Sequence, residues 1–265
     1  NWDEDSITMA VEAANNCLCS KPDIDLSSLY LASTTFPFLD RQNSVVVSEA
    51  LNLNKSIRTM DVGGSQRAAT SALISLLDSS AEGDSVLIAS EHRRSKAGSR
   101  AEMLWGDSAA AVLVGKNNVI AECLAIESLA VDFVDHYRGE DANFDYDWEE
   151  RWIRDEGFMK SVPIVVNKLI ESSSVSPEQI NHFILPTDQA RTPAALAKKL
   201  SINPEAVVDN QIAEVGVAGV AQPILLLAKT LENAKPGEHI LLIGFGQGCD
   251  ALLLKATDAI SNYKP

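Results

Sequence analysis

The feature that most constrains this chain is an internal repeat at an offset of 153 or 154 residues. Ser28-Leu29-Tyr30-Leu31-Ala32-Ser33-Thr34 falls on Asn181-His182-Phe183-Ile184-Leu185-Pro186-Thr187, and Asp61-Val62-Gly63 falls on Glu214-Val215-Gly216. Glu82-Gly83-Asp84 and the apolar run after it land on Pro236-Gly237-Glu238 and His239-Ile240-Leu241-Leu242. Turn glycines, strand lengths and helix lengths keep register together, which is the signature of a duplicated α/β unit. Residues 1–116 form the first half and 117–265 the second. The alanine- and leucine-rich helices of the two halves are expected to meet back to back between two sheets.

Hydrophobic periodicity places the elements of each half. An apolar stripe after Asp3–Ser6 reads as a helix. Strands follow at Leu29–Ser33, Ile57–Val62, Val86–Ala89 and Ala109–Val114, with helices near Val45–Leu51 and from Gln66 to about Asp78. The second half repeats the order: a strand at Val119–Ile126, a helix at Glu149–Glu171, a strand at His182–Leu185, helices at Ala194–Leu200 and Val217–Leu231, then strands at His239–Ile243 and Ala251–Lys255. It opens with a strand that the first half lacks. The repeat therefore leads one to expect a missing first strand, roughly 30 to 45 residues of upstream chain.

Asp61-Val62-Gly63-Gly64-Ser65-Gln66-Arg67 is a strand, a tight turn and a helix start. Such a turn presents the first helical side chain, near Gln66, at the positive end of the helix dipole, a place suited to a nucleophile or an anionic intermediate. Glutamine is neither. Gly63 and Gly64 serve either such a site or only the close packing of helix on strand.

A formal charge of −15 and a pI near 4.6 exclude nucleic-acid and anionic-membrane binding as working hypotheses, since both require a basic face. No apolar run approaches the roughly 20 residues that cross a bilayer and no signal-peptide pattern opens the chain, so a cytoplasmic protein is expected. Cys17, Cys19, Cys123 and Cys249 are read as free thiols without metal-ligand spacing, and no metal is expected.

The layout and four motifs resemble the thiolase superfamily, in its branch of HMG-CoA synthases and type III ketoacyl synthases. The motifs are the turn at Asp61–Gln66, Trp105-Gly106-Asp107-Ser108-Ala109-Ala110-Ala111, His182-Phe183-Ile184-Leu185-Pro186-Thr187-Asp188-Gln189, and Lys235-Pro236-Gly237-Glu238 with its strand and the loop Gly244-Phe245-Gly246. The resemblance implies a five-layer α-β-α-β-α fold of two pseudo-symmetric halves. Relatives with this pattern use a cysteine and a histidine, with an asparagine or a second histidine, on acyl thioesters. Here Gln66 stands at the cysteine position, Pro186 (or Thr187) at the histidine and Gly216 at the asparagine. Thr34 and Thr35 stand where HMG-CoA synthases carry an acid.

The resemblance implies an acyltransferase-family subunit that lacks its own catalytic cysteine, with a coenzyme A thioester as ligand and no covalently bound cofactor. It implies a homo- or heterodimer with a thiolase-fold subunit, and a small OB-fold zinc-ribbon protein as further partner. The alternative is a stand-alone enzyme on CoA thioesters, an acyltransferase, decarboxylase or carbon–carbon lyase, that uses Gln66, His136 or Cys249. Gly244, Phe245 and Gly246 are assigned to the pocket loop. His182 is read as locally bonded and Cys249 as a buried structural thiol, with catalysis the sharper reading of each. Asp141–Glu156 mixes Phe144, Tyr146, Trp148 and Trp152 with seven carboxylates. It reads as a lid with inward aromatics and wet acids, or as a surface for another subunit.

Overall fold

A computed structural model describes residues 3–21, 24–79 and 82–263, so the outer bounds 1 and 265 of the two halves lie outside the described residues. In the first half, α1 (Ser6–Leu18) leads to β1 (Leu26–Ala32), α2 (Asn43–Ala50), β2 (Arg58–Val62), α3 (Ala68–Leu77), β3 (Asp84–Glu91), α4 (Arg100–Leu104) and β4 (Ser108–Val114). The second contains β5 (Ala121–Ala130), the short hairpin β6 (His136–Tyr137) and β7 (Tyr146–Asp147), α5 (Glu150–Trp152), α6 (Met159–Ser173), β8 (Ile180–Ile184), α7 (Thr192–Lys199), α8 (Gln222–Leu231), β9 (His239–Phe245) and β10 (Gly248–Ala256).

Each half builds a four-stranded sheet, β2-β1-β3-β4 and β5-β10-β9-β8. In both, a parallel pair (β1 with β3, β8 with β9) is followed by a strand that turns back antiparallel (β4 on β3, β10 on β9). The halves differ at both edges: β2 pairs outside β1, whereas among the described residues only an isolated bridge from Val207 to Phe183 lies outside β8. β5 pairs along the outside of β10, whereas among the described residues no strand pairs outside β4.

Three apolar clusters make five layers. α1 and α2 cover one face of the first sheet through Ala10, Ala14 and Val47 against Leu29, Leu31 and Ile88. α3 and α8 lie between the sheets, with Ala69, Ala72 and Leu76 packed in the same core as Ile224 and Leu227. α6 and α7 cover the far face of the second sheet through Val162, Val166 and Leu196. Small residues on α3 let two helices share the space between the sheets.

The Glu149–Glu171 helix forms as three joined pieces: α5, a π-helical stretch at Ile153–Phe158, and α6. Gly157 sits in the π stretch, where an added Cβ would meet Phe133 and Phe245 at under 3 Å. Pro163 has no N–H for the carbonyl of Met159, and the Lys199 ammonium donates to that carbonyl at 2.8 Å instead.

A candidate acyl-handling chamber

The turn after β2 requires both of its glycines. At Gly63 a Cβ would lie 2.9 Å from the Ser33 carbonyl, and Gly64 has φ +81°. Past the turn the second half closes in. The Ser65 hydroxyl donates to the Gly246 carbonyl at 2.8 Å, and a Cβ on Gly246 would fall 3.1 Å from the Gln66 nitrogen. The loop Gly244–Gly246 therefore lies against the head of α3. Gly244 packs on Thr70 and Phe245 faces the cavity.

That cavity has a volume of about 330 Å³ and is lined by Gln66, Trp105, His136, Pro186, Val217 and Phe245 among others. Gln66 and Pro186, 120 residues apart, thus share one chamber, and Thr187 lines it too. Gly216 does not. It has φ +77° and packs on the Leu104–Gly106 backbone, where a Cβ would be 2.8 Å from the Gly106 nitrogen. From that segment Val217 and Gly219 line the chamber. Val217 also donates its N–H to the Leu104 carbonyl at 2.7 Å, which holds Gly216 outside.

Cys249 is fully buried in the outer apolar cluster of the second half and does not line the chamber. Burial, and next to it the Asp250 charge, push its thiol far above the ordinary range. His182 pairs with Glu238 at 2.8 Å on the far side of the sheet ends. His136 does reach the chamber, on the hairpin after β5.

That hairpin inverts one reading of the aromatic and acidic stretch. Phe144, Tyr146, Trp148 and Trp152 are 44–56% exposed, while the Asp145 side chain is 2% exposed. Asp145 turns inward between the exposed Phe144 and Tyr146, while Asp147 is itself exposed and lines the chamber with Trp148. Cations hold Asp145 there: it accepts from the part-exposed Arg138 at 2.6 Å and lies 3.9 Å from the buried Arg93. Arg138 also donates to the Thr34 carbonyl, which clamps the hairpin across the first half.

Beside the chamber wall, Arg93 stacks at 3.9 Å over the Trp105 ring and donates to the Val217 carbonyl at 3.4 Å. Its Nε is buried without a partner. Burial lowers its pKa, and the charges of Glu91, Asp145, Asp147 and Asp135 oppose that shift. His136 Nδ1 is 3.1 Å from Asp135. Burial would lower the pKa of His136, but the hydrogen bond and charge of Asp135 outweigh it and raise the value. The Asp147 pKa is raised, chiefly by burial.

Sequence reasoning missed Glu91. This fully buried carboxylate ends β3 and accepts from the Thr34 and Thr35 hydroxyls and from the Val220 N–H at 3.2 Å. Gln66 Nε2 in turn donates to the Thr34 hydroxyl at 3.3 Å. Glu91 thus sits on the neighbouring strand beside Thr34 and Thr35. A lone glutamate closing the apolar run Val86–Ala89 was its available signal.

Comparison with known proteins agrees with this geometry. Residues 170–255 match the family model 3-oxoacyl-[acyl-carrier-protein (ACP)] synthase III C terminal. The hydroxymethylglutaryl-CoA synthase of Aeropyrum pernix is 28% identical over 273 residues, covering 99% of this chain and 75% of that protein. The one from Caldivirga maquilingensis is 25% identical over 267 residues, covering 97% and 76%. Among solved structures, 3-oxoacyl-[acyl-carrier-protein] synthase III from Aquifex aeolicus superposes with a TM-score of 0.82 at 22% identity, over 96% of this chain and 85% of that one. An HMG-CoA synthase complexed with CoA superposes with a TM-score of 0.81 at 18% identity, over 97% and 71%. No helix among the described residues is long and apolar enough to cross a membrane.

Proposed function

We propose that this chain, which is similar to HMG-CoA synthases and to ketoacyl synthase III of the thiolase superfamily, is a CoA-thioester-binding subunit that forms no acyl-enzyme of its own. It works as a homo- or heterodimer with a thiolase-fold subunit inside an acyl-transferring, condensing or thiolytic complex, with a small OB-fold zinc-ribbon protein as a further partner. One observation carries the reading: the side chain at the head of α3 is Gln66, an amide, and no cysteine is among the residues that line the chamber. An amide can donate to an acyl oxygen but cannot take an acyl group as a thiolate does. The solved relatives that superpose include one with CoA and one with 3-hydroxy-3-methylglutaryl coenzyme A, which supports the ligand class.

The test pairs two measurements on the purified chain. Calorimetry with acyl-CoA is expected to give saturable binding, and intact mass after incubation is expected to show no added acyl group. A stable acyl adduct on any cysteine would overturn the proposal.

The presence of His136 and Asp135 together in the chamber favours a second reading, a stand-alone enzyme on CoA thioesters that needs no nucleophile. Turnover of acyl-CoA and malonyl-CoA by the chain alone, abolished in Gln66→Ala or in His136→Gln, would favour it over the first.

A further inference from the structure

The chamber contains two features that thioester binding alone does not require. Arg93 comes from the segment after β3 and presents a buried guanidinium whose Nε has no partner. Its nearest carboxylate, on Asp145, is 3.9 Å away and outside hydrogen-bond reach. A buried donor left unmade is costly unless a ligand oxygen completes it. His136 comes from the segment after β5 and lines the same chamber. Its Nδ1 faces Asp135 at 3.1 Å, and Nε2 is the nitrogen left for a ligand.

We propose that Asp135, His136 and Arg93 form a proton-transfer site for the carbon beside a thioester carbonyl. This inference rests on the reading of the chamber as an acyl-CoA site. His136 Nε2 takes the proton, the C–H electron pair forms a carbon–carbon double bond to the carbonyl carbon, the carbonyl π pair moves to oxygen, and Arg93 donates to that negative oxygen. Return of a proton from His136 to the carbon regenerates the thioester, so the step consumes no co-reactant and exchanges hydrogen with solvent. Asp135 is a positioning residue that fixes the ring and its tautomer.

The charges around His136 select the substrate. Asp135, Asp145 and Asp147 face it together with Arg93, and Glu91 lies within the field of Arg93. Four carboxylates around one guanidinium disfavour a ligand with a full carboxylate at this end. They suit a neutral acyl chain whose oxygen gains charge only during reaction.

Proton NMR of propionyl-CoA in heavy water tests the proposal with the full chain. Wild type is expected to replace the hydrogens beside the carbonyl with deuterium faster than buffer does. His136→Gln is expected to lose that exchange by about 100-fold or more while calorimetry still shows saturable propionyl-CoA binding and the variant still unfolds cooperatively. Asp135→Asn is expected to slow exchange and move its rise with pH to lower pH, a shift that a purely structural role would not produce. Binding without exchange in wild type, or unchanged exchange in His136→Gln, overturns the proton-transfer site and leaves the binding site standing. Absence of propionyl-CoA binding removes both.

Discussion

The Asp250 carboxylate on β10 accepts from the Arg67 guanidinium at the head of α3 at 2.8 Å, 183 residues away in the chain. Asp250 is 1% exposed and also accepts from Thr70, Ser71 and Ser128 at 2.8–2.9 Å. One carboxylate thus binds the middle layer to the second sheet and fixes the residue next to Gln66. Asp250→Ala would leave Arg67 without its partner in a largely dry site. The expected loss is about 3–5 kcal/mol, read from the urea midpoint; a change under about 1 kcal/mol would show that the network is dispensable.

Two glycines set how closely the halves approach at the chamber wall. A Cβ on Gly106 would lie 1.8 Å from the Val215 carbonyl, and Gly216 opposite it has φ +77°. Backbone stands on both sides, so neither clash can be relieved by a side-chain rotation. Gly216→Ala adds about 1–2 kcal/mol of left-handed strain to its clash, and Gly106→Ala displaces the Trp105 on which Arg93 stacks. Both variants are expected to melt at lower temperature, and Gly106→Ala to lose ligand affinity as well. A wild-type melting curve for either would contradict the backbone contact.

Much of this architecture was legible because the repeat kept its turn glycines in register, and layered packing then left one arrangement for the alanine-rich helices. The chamber was legible in part. Gln66 and Pro186 follow strand ends, so topology brings them together, whereas Gly216 lies in an irregular segment where one residue decides what faces inward. Arg93, Glu91 and Asp145 were not legible as a group. Their meeting depends on which face of a two-residue hairpin turns toward a buried cation, and no sequence period encodes that partner. Asp250 did leave a trace, as a single acid between Cys249 and Ala251 in an apolar strand.

The hairpin over the chamber is expected to loosen as pH rises. The His136 pKa is raised above 6.5, so the stability from its pairing with Asp135 is fully present below 6.5 and is lost as pH passes through the higher folded value. The Asp147 pKa is raised above 3.8, so the folded hairpin binds that proton more tightly and stability also falls as pH climbs through its folded value. The signs agree. Acrylamide quenching of Trp148 and Trp152 should increase as pH is raised from below 6.5 through the higher folded value of His136, and His136→Gln should flatten the change. Equal quenching across that range in the wild type would remove the coupling.

All four cysteines are free, yet they differ in reach. Cys19 is exposed, burial pushes Cys17 and Cys123 up to about 11, and Cys249 is buried and pushed higher still. A thiol reacts through its thiolate. A disulfide reagent at neutral pH should therefore modify Cys19 quickly, Cys17 and Cys123 slowly, and Cys249 only after denaturation. Fast labelling of Cys249 in the folded chain, located by peptide mass, would return it to the list of reactive residues.

Restoring a cysteine at the head of α3 should not by itself restore covalent chemistry. The helix start favours a thiolate, but the Glu91 carboxylate opposes it nearby: a Cβ on Gly219 would meet Gln66 Oε1 at 2.9 Å and Glu91 Oε2 at 3.1 Å. Two like charges that close disfavour ionisation of the second group. Pro186, in the same chamber, offers no base. Gln66→Cys is therefore expected to react slowly with iodoacetamide and to take no acyl group from acyl-CoA. Adding Glu91→Gln should speed alkylation by about tenfold, one pKa unit of relief, and adding Pro186→His should then allow acylation visible by intact mass. Rapid acylation of the single Gln66→Cys variant would mean that the carboxylate beside Gly219 does not govern this position, and the amide at residue 66 would need another explanation.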